Sequence, residues 1–421
     1  MRSKRIDKFS PKKIGLGIAI AVLIIILAIL SVIGYTTYSY KDKTYDGIFV
    51  SDVNVSNLSE NELKEKVSNH YSNLLDNFKV TFTYKDMFNE TYSAKDLGFY
   101  YDFEKISNEV FYFGKGGNII SNSVERLKLK STPYYFNFNP QSNPEALKEK
   151  LAQISGKIDK KKVEPKLSFS GNSVSATKEA IGYKVDLEKL TKIIVKDIDD
   201  HGHDTNSCKI EIPVEELKPE LTQAEVQKMT ILGTYETKLP SLEGGRTHNI
   251  RTYLSKLNGT VLMPGEIFSA DKEGEERNAS NGYTYAPGFI NNKVVDIMAG
   301  GICQGVTTLY NAVLYADLKI VERAPHSLPV TYAPIGRDAT MASGVVDLKF
   351  KNNLKNPVIV QTYITNNGHV KANIWGINEQ PNKKIVIAVD QHGPKSATTY
   401  REIYENGVLV KKELLSKDNY H

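Results

Sequence analysis

Twenty-one consecutive residues without a charge, Ile14 to Gly34 (IGLGIAIAVLIIILAILSVIG), constrain this chain more than any other feature. At about 1.5 Å per residue, a helix of that length spans the roughly 30 Å hydrocarbon layer of a bilayer. Its uniform apolarity leaves no polar face for a surface helix of a soluble domain. The reading is a transmembrane helix over 14–35, with a basic tail at 1–13. Arg2, Lys4, Arg5, Lys8, Lys12 and Lys13 crowd its N-terminal side, and Tyr35, Tyr38 and Tyr40 follow it. Positive charge inside and an aromatic belt outside place the N-terminus in the cytoplasm, giving a single-pass cell-membrane protein with an extracellular ectodomain. A cleaved signal peptide is the competing reading. The run exceeds the roughly 7–15 apolar residues such peptides use, and no A-x-A-like site follows it.

The same tail explains the formal charge of +5, because its six basic residues face only Asp7. From Ile14 onward the charges balance, so the basic footprint of a nucleic-acid binder is missing. Only Cys208 and Cys303 occur in 421 residues, too few for a disulfide scaffold. The ectodomain must therefore fold on ordinary apolar cores, and its length allows two or three domains.

The pattern after residue 45 is that of an α+β fold. Ser59 precedes the helix-like stretch 60–75 as an N-cap, and alternation in FKVTFTYKD (78–86) marks a strand. A ten-residue match, LGFYYDFEKI (97–106) against IGYKVDLEKL (181–190), suggests one α+β module used twice, over 45–128 and 133–217. The stretch 216–229 suits a linker or boundary helix. A mixed α+β domain follows over 231–376. Asn366-Asn367-Gly368 and Asn406-Gly407 lie between alternating runs, so antiparallel hairpins are expected there, the second in a C-terminal β extension over 377–421.

Chemistry concentrates in 298–340. Gly300 and Gly301 permit a tight turn that puts Cys303 at the opening of a helix running to Tyr315. A thiol there feels free N–H groups and the positive end of the helix dipole, which favours the thiolate. A short strand (318–323), His326 and Asp338 follow, the order of a triad in which His takes the thiol proton and Asp fixes the ring. A packed structural Cys303, or a disulfide with Cys208, is the alternative, and His326 and Asp338 equally suit loop and turn roles. Arg246, His248, Gln304 and Arg337 stand as candidate ligand-binding residues, with an exposed helix surface as the other reading of the first two. His201-Gly-His203-Asp204 near Cys208 matches no zinc spacing, so no metal and no cofactor are expected.

These segments resemble the VanW-like family. The matching pieces are Asn249-Ile250, LNGTVLMPGEIFS (257–269), NGYTYAPGFI (281–290), GGICQGVTTLYNAVL (300–314), IVERAPHSLPVTYAPIGRDAT (320–340) and DLKFKN (347–352). The family more usually shows three glycines where this chain has Ala299-Gly300-Gly301, so less left-handed freedom is expected at 299. The 45–217 region is similar to the YoaR-like peptidoglycan-binding domains that precede VanW-like domains. The resemblance implies a Gram-positive envelope protein whose partner is peptidoglycan or a precursor. The leading expectation is a noncatalytic module that binds peptidoglycan or its precursors; the alternative is a thiol acyl transferase or hydrolase acting on wall peptides, because the order Cys-helix, strand, His, Asp also looks like the transglutaminase-type core.

Overall fold

The computed structural model describes residues 11–201, 207–290 and 293–421; His203 and Asp204, set aside above as metal ligands, and most of the basic tail lie outside these. Pro11–Ser39 is one continuous helix. Its Gly15–Ser39 portion is long and apolar enough to cross a membrane, and none of it is buried inside the protein. Beyond it the chain mixes helix and strand, and divides into two compact units: Met1–Lys161 with Gly182–Leu217, and Lys162–Ile181 with Lys218–His421.

In the first unit, local signals start the helices. Ser59 caps Glu60–Tyr71 in a reciprocal capping box with Glu62, which satisfies two otherwise orphaned donors. The two copies of the ten-residue match adopt the same local structure. Phe99–Tyr100 and Gly182–Val185 are strands, and Phe103–Tyr112 and Leu187–His201 are helices. Asp102 and Asp186 each accept from the backbone N–H three residues on. They differ at the glycine, since Gly98 is left-handed at φ +86° and Gly182 begins an extended strand. Ile106 and Leu190, at matched positions, both enter the core. The two halves interlace: Ile48–Val50 pairs in parallel with Tyr134–Phe136, and Lys79–Tyr84 in parallel with Cys208–Glu211. One apolar core therefore serves residues from Tyr45 to Ile212.

The second unit is built on a four-stranded antiparallel sheet. Its strands Thr230–Lys238, His369–Gly376, Val358–Ile364 and Thr260–Leu262 lie in that order. Helices Gly245–Leu257 and Cys303–Tyr315 cover one face, where Val360, Ala372 and Ile374 point. The opposite face buries Ile359 and Trp375 beneath the hairpin Leu167–Ser170/Ser173–Ala176, which in sequence falls between the two halves of the first unit. Period-two alternation thus sends successive strand residues to two different cores. Gly233 shows how closely the Cys303 helix presses on the sheet, because a Cβ there would lie 2.2 Å from the Ala312 carbonyl oxygen. Both expected Asn-Gly hairpins form. Asn406 and Gly407, at φ +51° and +82°, close the C-terminal sheet in the two-residue turn that demands positive φ twice.

Candidate functional site

Every residue from Gln304 to Leu314 is buried, so the Cys303 helix runs through the interior of its unit and its polar side chains must find partners there. They do so by holding the segment that carries Asp338. Thr307 donates to the Ala339 carbonyl at 3.0 Å and accepts from its N–H at 3.0 Å. Asn311 donates to the Arg337 carbonyl at 2.8 Å and accepts from the Arg337 Nε at 2.8 Å. Each such bond is worth about 1 kcal/mol net, and leaving one buried partner unpaired costs more. Asp338 is thereby fixed against the helix whose first residue is Cys303.

The turn before that helix is left-handed at two positions, Ala299 at φ +61° and Gly301 at φ +104°. This corrects the expectation of less left-handed freedom at 299: an alanine takes the strained conformation, at a cost of about 1 kcal/mol. Its buried methyl packs into the core, and its N–H is bonded to the Thr284 carbonyl, which holds it there. Cys303 remains partly accessible at the start of the helix, and its Sγ lies 3.7 Å from the Thr340 hydroxyl.

Cys303, His326 and Asp338 come together. His326 Nδ1 is 2.6 Å from Asp338 Oδ2, which also accepts from the His326 backbone N–H at 2.7 Å. Clamped twice by one carboxylate oxygen, the ring holds Nδ1 toward Asp338 and turns Nε2 away from it, and Cys303 is near enough to act on its charge. Asp338 is 1% exposed and accepts from Tyr420 as well, while Arg323 bonds its backbone carbonyl. Arg323 is anchored in turn by Asp418 at 2.7 and 2.8 Å. Tyr332 brings its hydroxyl to 3.5 Å from His326 Nε2.

The electrostatics follow from these contacts. Burial alone would raise the Cys303 thiol, but its hydrogen bond and charge interaction with His326, helped by Met341 and Thr340, leave it below its ordinary value. Burial would lower His326, yet Asp338 and Cys303 hold it up at about 9. Asp338 is likewise penalised by burial and brought down by His326 and Tyr420. A lowered thiol beside a raised imidazole is the electrostatic pattern that favours an ion pair between the two. Both cysteines are free, so the disulfide alternative does not form.

The other candidates divide. Arg246 lies beside the thiol turn: its stem crosses Gly301, Nη2 donates to Gln304 Oε1 at 3.0 Å, and Nε is buried with no protein partner. Gln304 is fully buried and spends its amide on Thr237 and the Lys238 carbonyl. Arg337 is buried between Tyr235 and Tyr315. His248 is exposed and turns to the Gly282 carbonyl at 2.8 Å, two positions and about 200° around the helix from Arg246. Among the described residues no cluster of three metal-binding side chains occurs. Sequence reasoning misses Arg323, Tyr332, Asp418 and Tyr420. Arg323 and Tyr332 lie inside a quoted motif, but nothing local marks Asp418 or Tyr420, which reach the site from the last strand and the residue that follows it.

Comparison with known proteins adds the domain content. Residues 245–375 match the family described as VanW like protein, and residues 90–207 the one described as Putative peptidoglycan binding domain. The chain is 28% identical over 224 residues to Uncharacterized protein YoaR of Bacillus subtilis, covering 53% of this chain and 72% of that one. It is 29% identical over 112 residues to the Vancomycin B-type resistance protein VanW of Enterococcus faecalis, covering 25% of this chain and 41% of that protein. No solved structure matches it.

Proposed function

We propose that this VanW-like family protein, with its peptidoglycan-binding-type region, is a membrane-anchored, wall-associated thiol acyl transferase or hydrolase acting on peptide bonds of peptidoglycan or its precursors. The observation that carries the reading is the Cys303–His326–Asp338 arrangement, with the thiol lowered and the imidazole raised. The apolar helix Pro11–Ser39 would hold the protein at the membrane with its N-terminus inside, and the 90–207 region would keep the second unit at the wall.

In the first half-reaction the Cys303 thiolate attacks a peptide carbonyl carbon, and the C–N bond breaks as His326 gives its Nε2 proton to the departing amine. The acyl group is left as a thioester on Cys303. Neutral His326 then takes a proton from an incoming amine or water, which attacks the thioester and releases the thiol. Asp338 holds the ring throughout, and Tyr332 lies beside the nitrogen that moves the proton. Arg246, with an unpaired buried Nε beside Cys303, is suited to a substrate carbonyl or carboxylate.

Incubating the full chain with wall peptide fragments should leave an acyl adduct on Cys303 that mass spectrometry detects, absent in Cys303→Ala. Binding of purified wall by both forms, with no adduct and no reaction of Cys303 with iodoacetamide at pH 6, would instead leave a noncatalytic binding module, the reading favoured by the 90–207 match alone.

A further inference from the structure

Helix Ile119–Ser131, in the first unit, carries an apolar face that the protein does not cover. Ile120, Val124 and Leu127, at the i, i+4, i+7 spacing of one helical stripe, are 69%, 59% and 69% exposed. Leu129, on the opposite side of the same helix, is buried in the core of its own unit, and Ser123 and Arg126, between the two sides, are buried as well. The helix therefore has two working faces, one turned to the protein core and one turned outward.

What the outward face meets is fixed by its neighbour. Ile120, Val124 and Leu127 line one groove together with Ile25, Ala28, Ile29, Val32 and Ile33 of the apolar N-terminal helix. Arg126 ties the two helices by donating to Thr36, two residues past the apolar stretch Ile14–Gly34, at 2.6 Å. A bilayer that surrounds Ile25 to Ile33 cannot stop short of side chains that share their groove. The flanking chemistry is that of a membrane–water boundary. Lys128 and Lys130 occupy the last turn, exposed Tyr112, Tyr134 and Tyr135 flank the helix along the chain, and exposed Tyr35 and Tyr38 lie near the end of the first helix. Tyrosine and lysine flanking an apolar stripe match headgroups, and the lysines suit anionic lipid.

We infer that helix Ile119–Ser131 is a second membrane element, seated with Ile120, Val124 and Leu127 in the outer leaflet beside the spanning helix. It would dock the first unit directly on the bilayer instead of leaving it on a free tether. This rests on the reading of the N-terminal helix as a retained anchor.

Bromine-quenching in nanodiscs tests both at once, using full-length chains in phosphatidylcholine–phosphatidylglycerol bilayers with bromine on the upper acyl carbons in one set and on the lower acyl carbons in another. The chain has a single tryptophan, Trp375, which is 1% exposed and gives a constant background. Val124→Trp and Leu127→Trp, at exposed positions that need no cavity, should be strongly quenched, and Leu23→Trp in the spanning helix should be quenched too. Glu65→Trp, exposed on helix Glu60–Tyr71, should not be. Quenching of Leu23→Trp without Val124→Trp and Leu127→Trp would overturn the inference and leave the anchor standing. No quenching of Leu23→Trp would remove the anchor and the inference with it. Equal quenching of Glu65→Trp would overturn it by showing that lipid contact is not confined to this face.

Discussion

The two cysteines of this chain lie one in each unit, and their surroundings push them in opposite directions. Cys208 opens a strand of the first unit; burial and then the Asp197 carboxylate on the preceding helix raise it to about 11. Cys303 is also penalised by burial, but the charge it meets is the His326 imidazolium, and it is lowered. Desolvation has one sign for every thiol, so the sign of the neighbouring charge decides whether a buried cysteine is raised or lowered. The contrast extends to the units. The first holds an aliphatic and aromatic core whose ion pairs sit on its surface, such as Lys85–Glu216 and Lys157–Glu90. The second buries Arg323, Asp338 and Asp418 in one hydrogen-bonded group, an arrangement that is costly to build and tolerable only when fully partnered.

The largest expected effect comes from removing the charge that separates the two thiols. His326→Ala should slow iodoacetamide labelling of Cys303 at pH 6 by about tenfold or more, since each pKa unit regained costs a factor of ten in thiolate. Cys208 should be unaffected in the same sample; an unchanged Cys303 rate would break the comparison. Next is pH. Labelling of Cys303 should already be substantial near neutrality, whereas that of Cys208 should keep climbing toward pH 11. A common profile for both would show that their environments do not differ.

The same ion pair bears on stability. His326 is raised in the folded protein, so its contribution is full below the ordinary imidazole value of 6.5 and disappears as pH rises through about 9. The Tm difference between wild type and His326→Gln should therefore be largest below pH 6.5 and close by about pH 9. Tyr420→Phe should cost about 1–2 kcal/mol by removing one donor to buried Asp338, and should also slow Cys303 labelling. Asp102→Ala, which deletes a helix cap in the first unit, should cost about 1 kcal/mol and leave Cys303 labelling untouched. A change in labelling there would mean that the two units are energetically coupled.

Features that depend on residues close along the chain are legible in the sequence itself. An uncharged run has one period and one length, so the Pro11–Ser39 helix follows from it. Ser59, Asp102 and the Asn406-Gly407 turn act through φ preference and bonds three residues long, and each cap or turn forms where the sequence puts it. Cys303 at a helix start is readable for the same reason, and so is the order Cys, His, Asp. The left-handed Ala299 is not readable, because alanine avoids that conformation unless tertiary contacts impose it. Nor is the buttress on Asp338, since Tyr420 lies 82 residues away along the chain. Helices, turns and the residue types gathered at the site are readable along the chain, because they rest on local periodicity and backbone sterics. Tertiary structure alone decided that Cys303 meets an imidazolium and Cys208 a carboxylate, because electrostatic energy depends on separation in space and on burial, and neither is written in the spacing along a chain.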